Sequence, residues 1–360
     1  MNVKLLGTIG LAVMLTFSAC LENLFNSTEE EKPDTTDNSF VGQWYMVTQT
    51  VNGIKATYGT IITMNEDGTG IHQTSGESDS FTWNTEDSAL NVITGENNSF
   101  SASYQFSGNT VTLSYVDNGE TYVEKYAKYT GDRNASLVGK WVGVRSTLDG
   151  VDKVPAQTVT FGADGAAIAY YTDSTTIIPQ AFTWTTSGNY LLNSLITGDM
   201  WTGLEYTLTA PLVAVKEYYD DGKEYISTFI KDSGEKDDAL TGTWNLTGLT
   251  VNSFPLPSQL IPQGASFTLN AATGTGSFVL DATPVTYSWT TNSGYLLLYP
   301  TVALQQIGIG QTYTISGSTL TFSMAFNAKA LGYFFGSSPL LATYAASVEY
   351  VKAIFTFTKQ

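Results

Sequence analysis

Thiol and imidazole chemistry are nearly missing from this chain, whose 360 residues hold one cysteine, Cys20, and one histidine, His72. A lone cysteine excludes an internal disulfide, and so few ligand-type residues exclude a multi-histidine metal site. Positive charge is also scarce: 16 Lys and Arg stand against 33 Asp and Glu, for a net charge of −17. That balance argues against a nucleic-acid partner and against lying flat on an anionic membrane. No phosphate-cradling glycine loop, nucleotide fingerprint or nucleophile elbow occurs. The carboxylates Asp117, Glu120, Asp220 and Asp221 fall at hairpin tips, where turn formation accounts for them. No catalytic residue, cofactor or metal is expected, so the chain reads as a non-enzyme. His72 reads as an exposed strand residue.

What is present is a repeat. Gly-x-Trp opens a stretch of alternating apolar and polar residues at Gly42-Gln43-Trp44, Gly139-Lys140-Trp141 and Gly242-Thr243-Trp244. Aromatic-x-Trp then recurs at Phe81-Thr82-Trp83, Phe182-Thr183-Trp184 and Tyr287-Ser288-Trp289. Each copy closes on aromatic-x-Lys: Tyr126 with Lys128, Phe229 with Lys231, Phe357 with Lys359. Landmarks recurring in one order define tandem units. They place six of the seven tryptophans in the repeat and leave Trp201 outside it, which assigns the six to core packing in preference to a binding platform.

Within each unit the period is two and the punctuation is dense. Phe100, Ala102, Tyr104 and Phe106 alternate with polar residues, Ser107-Gly108-Asn109 turns the chain, and Asp117-Asn118-Gly119 makes the next hairpin. About eight short strands fit into each unit. The expected fold is all-β: three tandem small up-and-down antiparallel barrels, an architecture without free edges. The units span residues 39–130, 137–232 and 240–360. Short polar links, 131–136 and 232–239, predict a semi-rigid array.

The chain begins with a different kind of segment. Residues 1–19 carry Lys4, an apolar run over 5–17 that is too short to span a membrane, and Ser18-Ala19 before Cys20. This resembles a bacterial lipoprotein signal peptide, although Phe17 replaces the usual Leu or Val. The resemblance implies cleavage before Cys20, lipidation of that cysteine and attachment to the cell envelope. Leu21, where an aspartate would favour inner-membrane retention, points to the outer membrane. Residues 20–38 are polar, with Glu29-Glu30-Glu31 and Pro33, and read as a disordered tether.

The segment Phe40-Val41-Gly42-Gln43-Trp44-Tyr45 resembles the first-strand motif of lipocalins and related calycin barrels, with shorter versions at 137–141 and 240–244. The resemblance implies an eight-stranded barrel that often carries a small hydrophobic ligand. It also implies a tryptophan at the closed end, covered by a basic residue beyond the last strand. Lys128, Lys231 and Lys359 occupy that place for Trp44, Trp141 and Trp244. Lysine stands where the family has arginine, and each unit is shorter than a typical lipocalin. An eight-stranded barrel is just wide enough for side chains to fill it, so units one and two are expected to be filled.

Unit three differs. Its only acids are Asp281 and Glu349, against Lys329, Lys352 and Lys359, for a net +1. It carries an apolar segment over 325–346, a second apolar connection over 296–309, and Pro255, Pro257 and Pro262 in an enlarged first loop. Such a segment needs cover: over its own barrel, around a ligand, or on a partner. The expectation is therefore a non-catalytic envelope lipoprotein acting in binding or as an adaptor. A small hydrophobic ligand would sit in unit three on Tyr333, Phe334, Phe335 and Leu340. The alternative is a protein-interaction or structural spacer, like a surface antigen or inhibitor, with filled barrels and exposed aromatics such as Tyr170, Tyr171, Tyr218 and Tyr219 making contact with an envelope protein.

Overall fold

The computed structural model describes residues 37–360 apart from 76, 95–97, 154–156, 174–175, 197–200, 256, 259–260, 262, 280–283, 302–306 and 327–350. The described chain is β-structure in three closed antiparallel sheets. Barrel 1 contains β1 (Gly42–Val51), β2 (Ile54–Ala56), β3 (Thr60–Met64), β4 (Thr69–Thr74), β5 (Glu77–Glu86), β6 (Ala89–Thr94), β7 (Asn98–Ser107), β8 (Thr110–Asp117) and β9 (Glu120–Lys128). Barrel 2 contains β10 (Gly139–Leu148), β11 (Val151–Lys153), β12 (Gln157–Phe161), β13 (Ala166–Asp173), β14 (Thr176–Ser187), β15 (Tyr190–Leu195), β16 (Trp201–Thr209), β17 (Leu212–Tyr218) and β18 (Glu224–Lys231). Barrel 3 contains β19 (Gly242–Val251), β20 (Phe254–Pro255), β21 (Ser266–Asn270), β22 (Thr275–Val279), β23 (Pro284–Asn292), β24 (Tyr295–Pro300), β25 (Ile309–Ser316), β26 (Thr319–Phe326) and β27 (Val351–Lys359).

Eight strands of each set run up and down and close where the first pairs with the last; the ninth, short strand hairpins onto the far end of the first. The hairpin turns need positive φ, which Asn52 and Gly53 supply at 49° and 88°. Six tryptophans, Trp44, Trp83, Trp141, Trp184, Trp244 and Trp289, are buried in the barrel cores.

Each first strand is bulged at one residue. The β1 to β9 register slips between Met46 and Thr48, β10 to β18 between Gly143 and Arg145, and β19 to β27 between Leu246 and Gly248. Val47 and Val144 keep the outward parity of Tyr45 and Val142 and pack toward the next barrel, while the bulge shifts the parity beyond them, so that Gln49 and Ser146 face inward opposite Glu124 and Ser227. Tyr45, Val47, Ile61 and Ala127 of barrel 1 form one buried cluster with Tyr190 and Leu192 of barrel 2, and Trp201 packs against it. The tryptophan outside the repeat is thus a piece of the inter-barrel contact. Val142 and Ile230 of barrel 2 join Leu297 and Tyr299 of barrel 3 in the corresponding cluster. Gly203 and Gly310 sit at matching points of these contacts, where an added Cβ would press on Met46 O and overlap Val144.

The links are pinned as well. Thr186 N donates to Asp132 O at 2.8 Å, Thr291 N to Glu235 O at 2.7 Å, and Tyr299 Oη to Asp232 at 2.5 Å. At the two outer ends the same register positions turn polar. Barrel 3 has Asn245, Thr247, Ser266 and Thr358 where barrel 1 has Tyr45, Val47, Ile61 and Ala127. Barrel 1 has Asn91, Ser99 and Ser101 where barrel 2 has Leu192, Trp201 and Gly203. The array is capped as repeat proteins are, by polar outer faces.

Candidate functional site: the interior of barrel 2

The closed end of every barrel is built the same way. A 3₁₀ turn (Asn38–Phe40, Ala135–Leu137, Asp238–Leu240) crosses the end, capped by Asp37, Asn134 or Asp237. Its last residue buries an apolar side chain and offers its carbonyl to the tryptophan: Nε1 of Trp44, Trp141 and Trp244 donates to Phe40, Leu137 and Leu240 O at 2.6, 2.6 and 2.8 Å. Lys128, Lys231 and Lys359 then cross the indoles, with Nζ 5.2, 5.6 and 5.0 Å from the ring centroids, and donate to the turn carbonyls of Ser39, Ser136 and Ala239. The repeat glycine is required twice over: Gly139 has φ 124°, and a Cβ there would lie 3.1 Å from Lys231 Cε. Gly-x-Trp and the distant lysine are one latch. The capping side chains escaped the sequence reading, although Asp or Asn two residues before Ser or Ala is a cap signal.

Register then allows the three interiors to be compared position by position. In barrel 3 Phe267, Phe278, Phe322 and Phe355 occupy four interior positions, and their rings pack on one another at 5.3–6.0 Å. The same positions in barrel 1 hold Ile62, His72, Leu113 and Glu124. In barrel 2 they hold Val159, Ala169, Val215 and Ser227. Relative to barrel 3, roughly twenty side-chain heavy atoms are missing from a space that cores otherwise fill to crystal-like density.

The result is a cavity of about 300 Å³ in barrel 2, at the lower bound for small-molecule sites. This corrects the expectation of a filled second barrel; period-two reading identifies which residues face inward but not whether their volumes add up. The latch end is apolar, walled by Leu137, Trp141, Phe161, Phe182 and Phe229. Toward the other end the lining becomes polar, with Gln157, Tyr171, Gln180, Asn193, Thr202, Glu217 and Tyr225. Two pairs there are already made: Tyr171 Oη donates to Gln180 at 3.1 Å and Thr202 Oγ1 to Asn193 at 2.6 Å.

Two interior carboxylates contrast sharply. Glu124 in barrel 1 is buried and accepts from Gln49 Nε2 at 2.6 Å, Tyr115 Oη at 2.9 Å and Tyr126 Oη at 2.8 Å. Burial, reinforced by that carboxylate, pushes both tyrosine hydroxyls far above their ordinary range. Glu217 in barrel 2 lines the cavity, and no hydrogen bond or ion pair to it is formed among the described residues; burial alone raises its carboxyl above the ordinary carboxylate value.

His72 is half-buried and shares the interior face with Ile62, with burial lowering its imidazole despite Glu124 and Asp79 nearby. The exposed reading of His72 is therefore corrected: its strand parity puts it inside. Of the loop aromatics, Tyr171 lines the cavity, and Tyr218 is held against barrel 1, where Thr57 N donates to its carbonyl at 2.9 Å and Lys55 Nζ lies 4.3 Å from its ring. Tyr219 remains exposed. Tyr333, Phe334, Phe335 and Leu340, expected to contact a ligand in barrel 3, lie outside the described residues, as does Cys20. Among the described residues no group of three His, Cys, Asp or Glu could hold a metal ion, and no helix is long and apolar enough to cross a membrane.

No family model and no curated protein match this chain. Solved structures match it weakly. The vaccine antigen transferrin binding protein B of Haemophilus parasuis Hp5, as its Trp-176-Ala mutant, is 7% identical over 84% of this chain and 65% of its own, with a TM-score of 0.19. This chain thus spans just under two thirds of that protein. Intact Ap-TbpB, with N and C lobes, is 7% identical over 91% of this chain and 78% of its own, with a TM-score of 0.20. A protein of unknown function from the DUF3598 family of Nostoc punctiforme is 12% identical over 54% of this chain and 96% of its own, with a TM-score of 0.16. Likeness at this level transfers no ligand or partner to the present chain.

Proposed function

We propose that this protein is a non-catalytic, lipid-anchored binding protein of a bacterial cell envelope, in the outer membrane, whose middle barrel holds a small and largely apolar ligand. Barrels 1 and 3 are its scaffold. The carrying observation is the cavity of about 300 Å³, found where barrel 3 has four phenylalanines and barrel 2 has Val159, Ala169, Val215 and Ser227. Empty apolar volume costs stability, about 24 cal/mol per Å³ in cavity-forming mutants, so a hollow barrel is best explained by an occupant. The location rests on the leader before Cys20 and the polar tether after it.

Native mass spectrometry of the full-length protein, purified from its own host, tests this reading. The expected result is an extra mass of one to a few hundred daltons, lost when Ala169→Phe and Ser227→Phe fill the cavity. A mass independent of these substitutions would refute it. The docked barrels and pinned links favour a second reading, a stiff spacer that presents a protein-binding surface away from the membrane. A bare wild-type chain that retains an envelope protein through cross-linking at Tyr219 would support that one.

A further inference from the structure

We infer that the barrel 2 site selects a cationic amphiphile, a short alkyl or aryl chain ending in an amine, with the chain against Trp141 and the amine on Glu217. This rests on the carrier reading above and adds the ligand's chemistry to it.

The position of Glu217 follows from register. β17 leaves the latch end at Leu212, paired with Ile230, and reaches Glu217, paired with Tyr225, at the opposite end. A ligand passing from Trp141 to Glu217 therefore meets an apolar floor first and a carboxylate last. The equivalent residues elsewhere cannot do this: Tyr115 in barrel 1 is already bonded to Glu124, and Met324 in barrel 3 is buried in the core.

Four observations make the missing group a cation. Among the described residues the cavity lining contains this one carboxylate and no lysine, arginine or histidine. The half-buried Glu217 carboxylate has no partner among the described residues, whereas the buried interior carboxylate of barrel 1, Glu124, has three donors; charge drawn out of water is ordinarily paired. Tyr225, directly across the strand pair, adds an aromatic face beside it, and Tyr171 faces it from the opposite wall of the cavity, the kind of surroundings that ammonium groups favour. The protein's net charge of −17 draws cations toward the site and repels carboxylates. The size is also restrictive: at the ~30 Å³ that a water-sized group occupies in a liquid, about ten non-hydrogen atoms fill the cavity.

The test is calorimetric titration of the full chain with octylamine, 1-octanol and octanoate, three probes of equal chain length and different heads. A charge-assisted bond in a desolvated site predicts octylamine binding roughly tenfold to a hundredfold tighter than octanol, with octanoate weakest. Glu217→Gln should bring the amine to the level of the alcohol while leaving the alcohol's affinity within about twofold, and circular dichroism would verify the fold of the variant. Octanol or octanoate binding as tightly as octylamine, or an amine preference surviving Glu217→Gln, would overturn the cationic assignment while leaving the carrier reading intact. If none of the three binds and the protein is bare in the mass spectrum, both fall together.

Discussion

Replacing Lys231 by Met removes the charge from one latch and keeps the alkyl stem that passes over Gly139. Two interactions are lost: the bond from Nζ to Ser136 O at 2.9 Å and the approach of the ammonium to Trp141 at 5.6 Å. Both lie at the solvent-exposed rim of the closed end, so each takes the low end of its range: about 0.5–1 kcal/mol for the hydrogen bond and about 0.5–1 kcal/mol for the cation–π contact. A loss of about 1–2 kcal/mol raises the open population of barrel 2 by a factor of roughly 5–30. Hydrogen exchange followed by peptide mass spectrometry reads this barrel by barrel. Peptides from β10, β17 and β18 should exchange faster by that factor, while β5 and β6 of barrel 1, remote from the change, should not respond. An acceleration of less than twofold would refute the latch as a stabilising device and leave Lys231 as a solvated strand end.

Three further outcomes follow from the same geometry. Glu217 holds its proton more tightly folded than unfolded, so it favours the fold below the ordinary carboxylate range and costs stability as pH rises through its raised value. The empty Glu217→Gln protein should thus melt higher than wild type at pH 7, with the difference vanishing near pH 3; equal melting at pH 7 contradicts the desolvated placement. Gly310→Leu, with its Cβ overlapping Val144, should separate barrels 2 and 3 and enlarge the radius of gyration in small-angle scattering, leaving the far-ultraviolet dichroism of the strands unchanged. Conversely, Ser101→Gly with Asn91→Leu copies the barrel 2 docking face onto the outer face of barrel 1, and sedimentation should show no self-association while barrel 3 keeps Thr247 and Asn245 on the opposite end; dimers would show that the polar cap at barrel 3 is insufficient.

The latch was legible because its parts carry rare residue types: Trp141 and Lys231 are placed by spacing alone, and Gly139 by its neighbour. The strand count was legible for the same reason, since Asn52-Gly53 and Asp117-Asn118-Gly119 mark turns that few other residues can make. The hollow interior was not legible. Val159, Ala169, Val215 and Ser227 are unremarkable singly, and they become a cavity only when four strands are brought into register against Phe267, Phe278, Phe322 and Phe355. The long apolar segment of unit three is conspicuous instead, because length and hydrophobicity are visible in sequence and missing volume is not. The inter-barrel contact lay between these cases. Trp201, the tryptophan without a repeat position, is a signal for it, but the bulges shift the parity after Val47 and Val144, and alternation alone then misplaces residues such as Gln49 and Ser146. His72 has no flanking pattern strong enough to fix its face, and only the pairing with Ile62 shows that it points inward.

The central claim is that barrel 2 is hollow and occupied, and a crystal structure of the protein purified from its own host measures this directly. The account predicts continuous non-protein density running from the Trp141 indole to the Glu217 carboxylate, bounded by Ala169 and Ser227. A barrel drawn in until Val159, Ala169, Val215 and Ser227 meet across the axis, with no density between them, would contradict it.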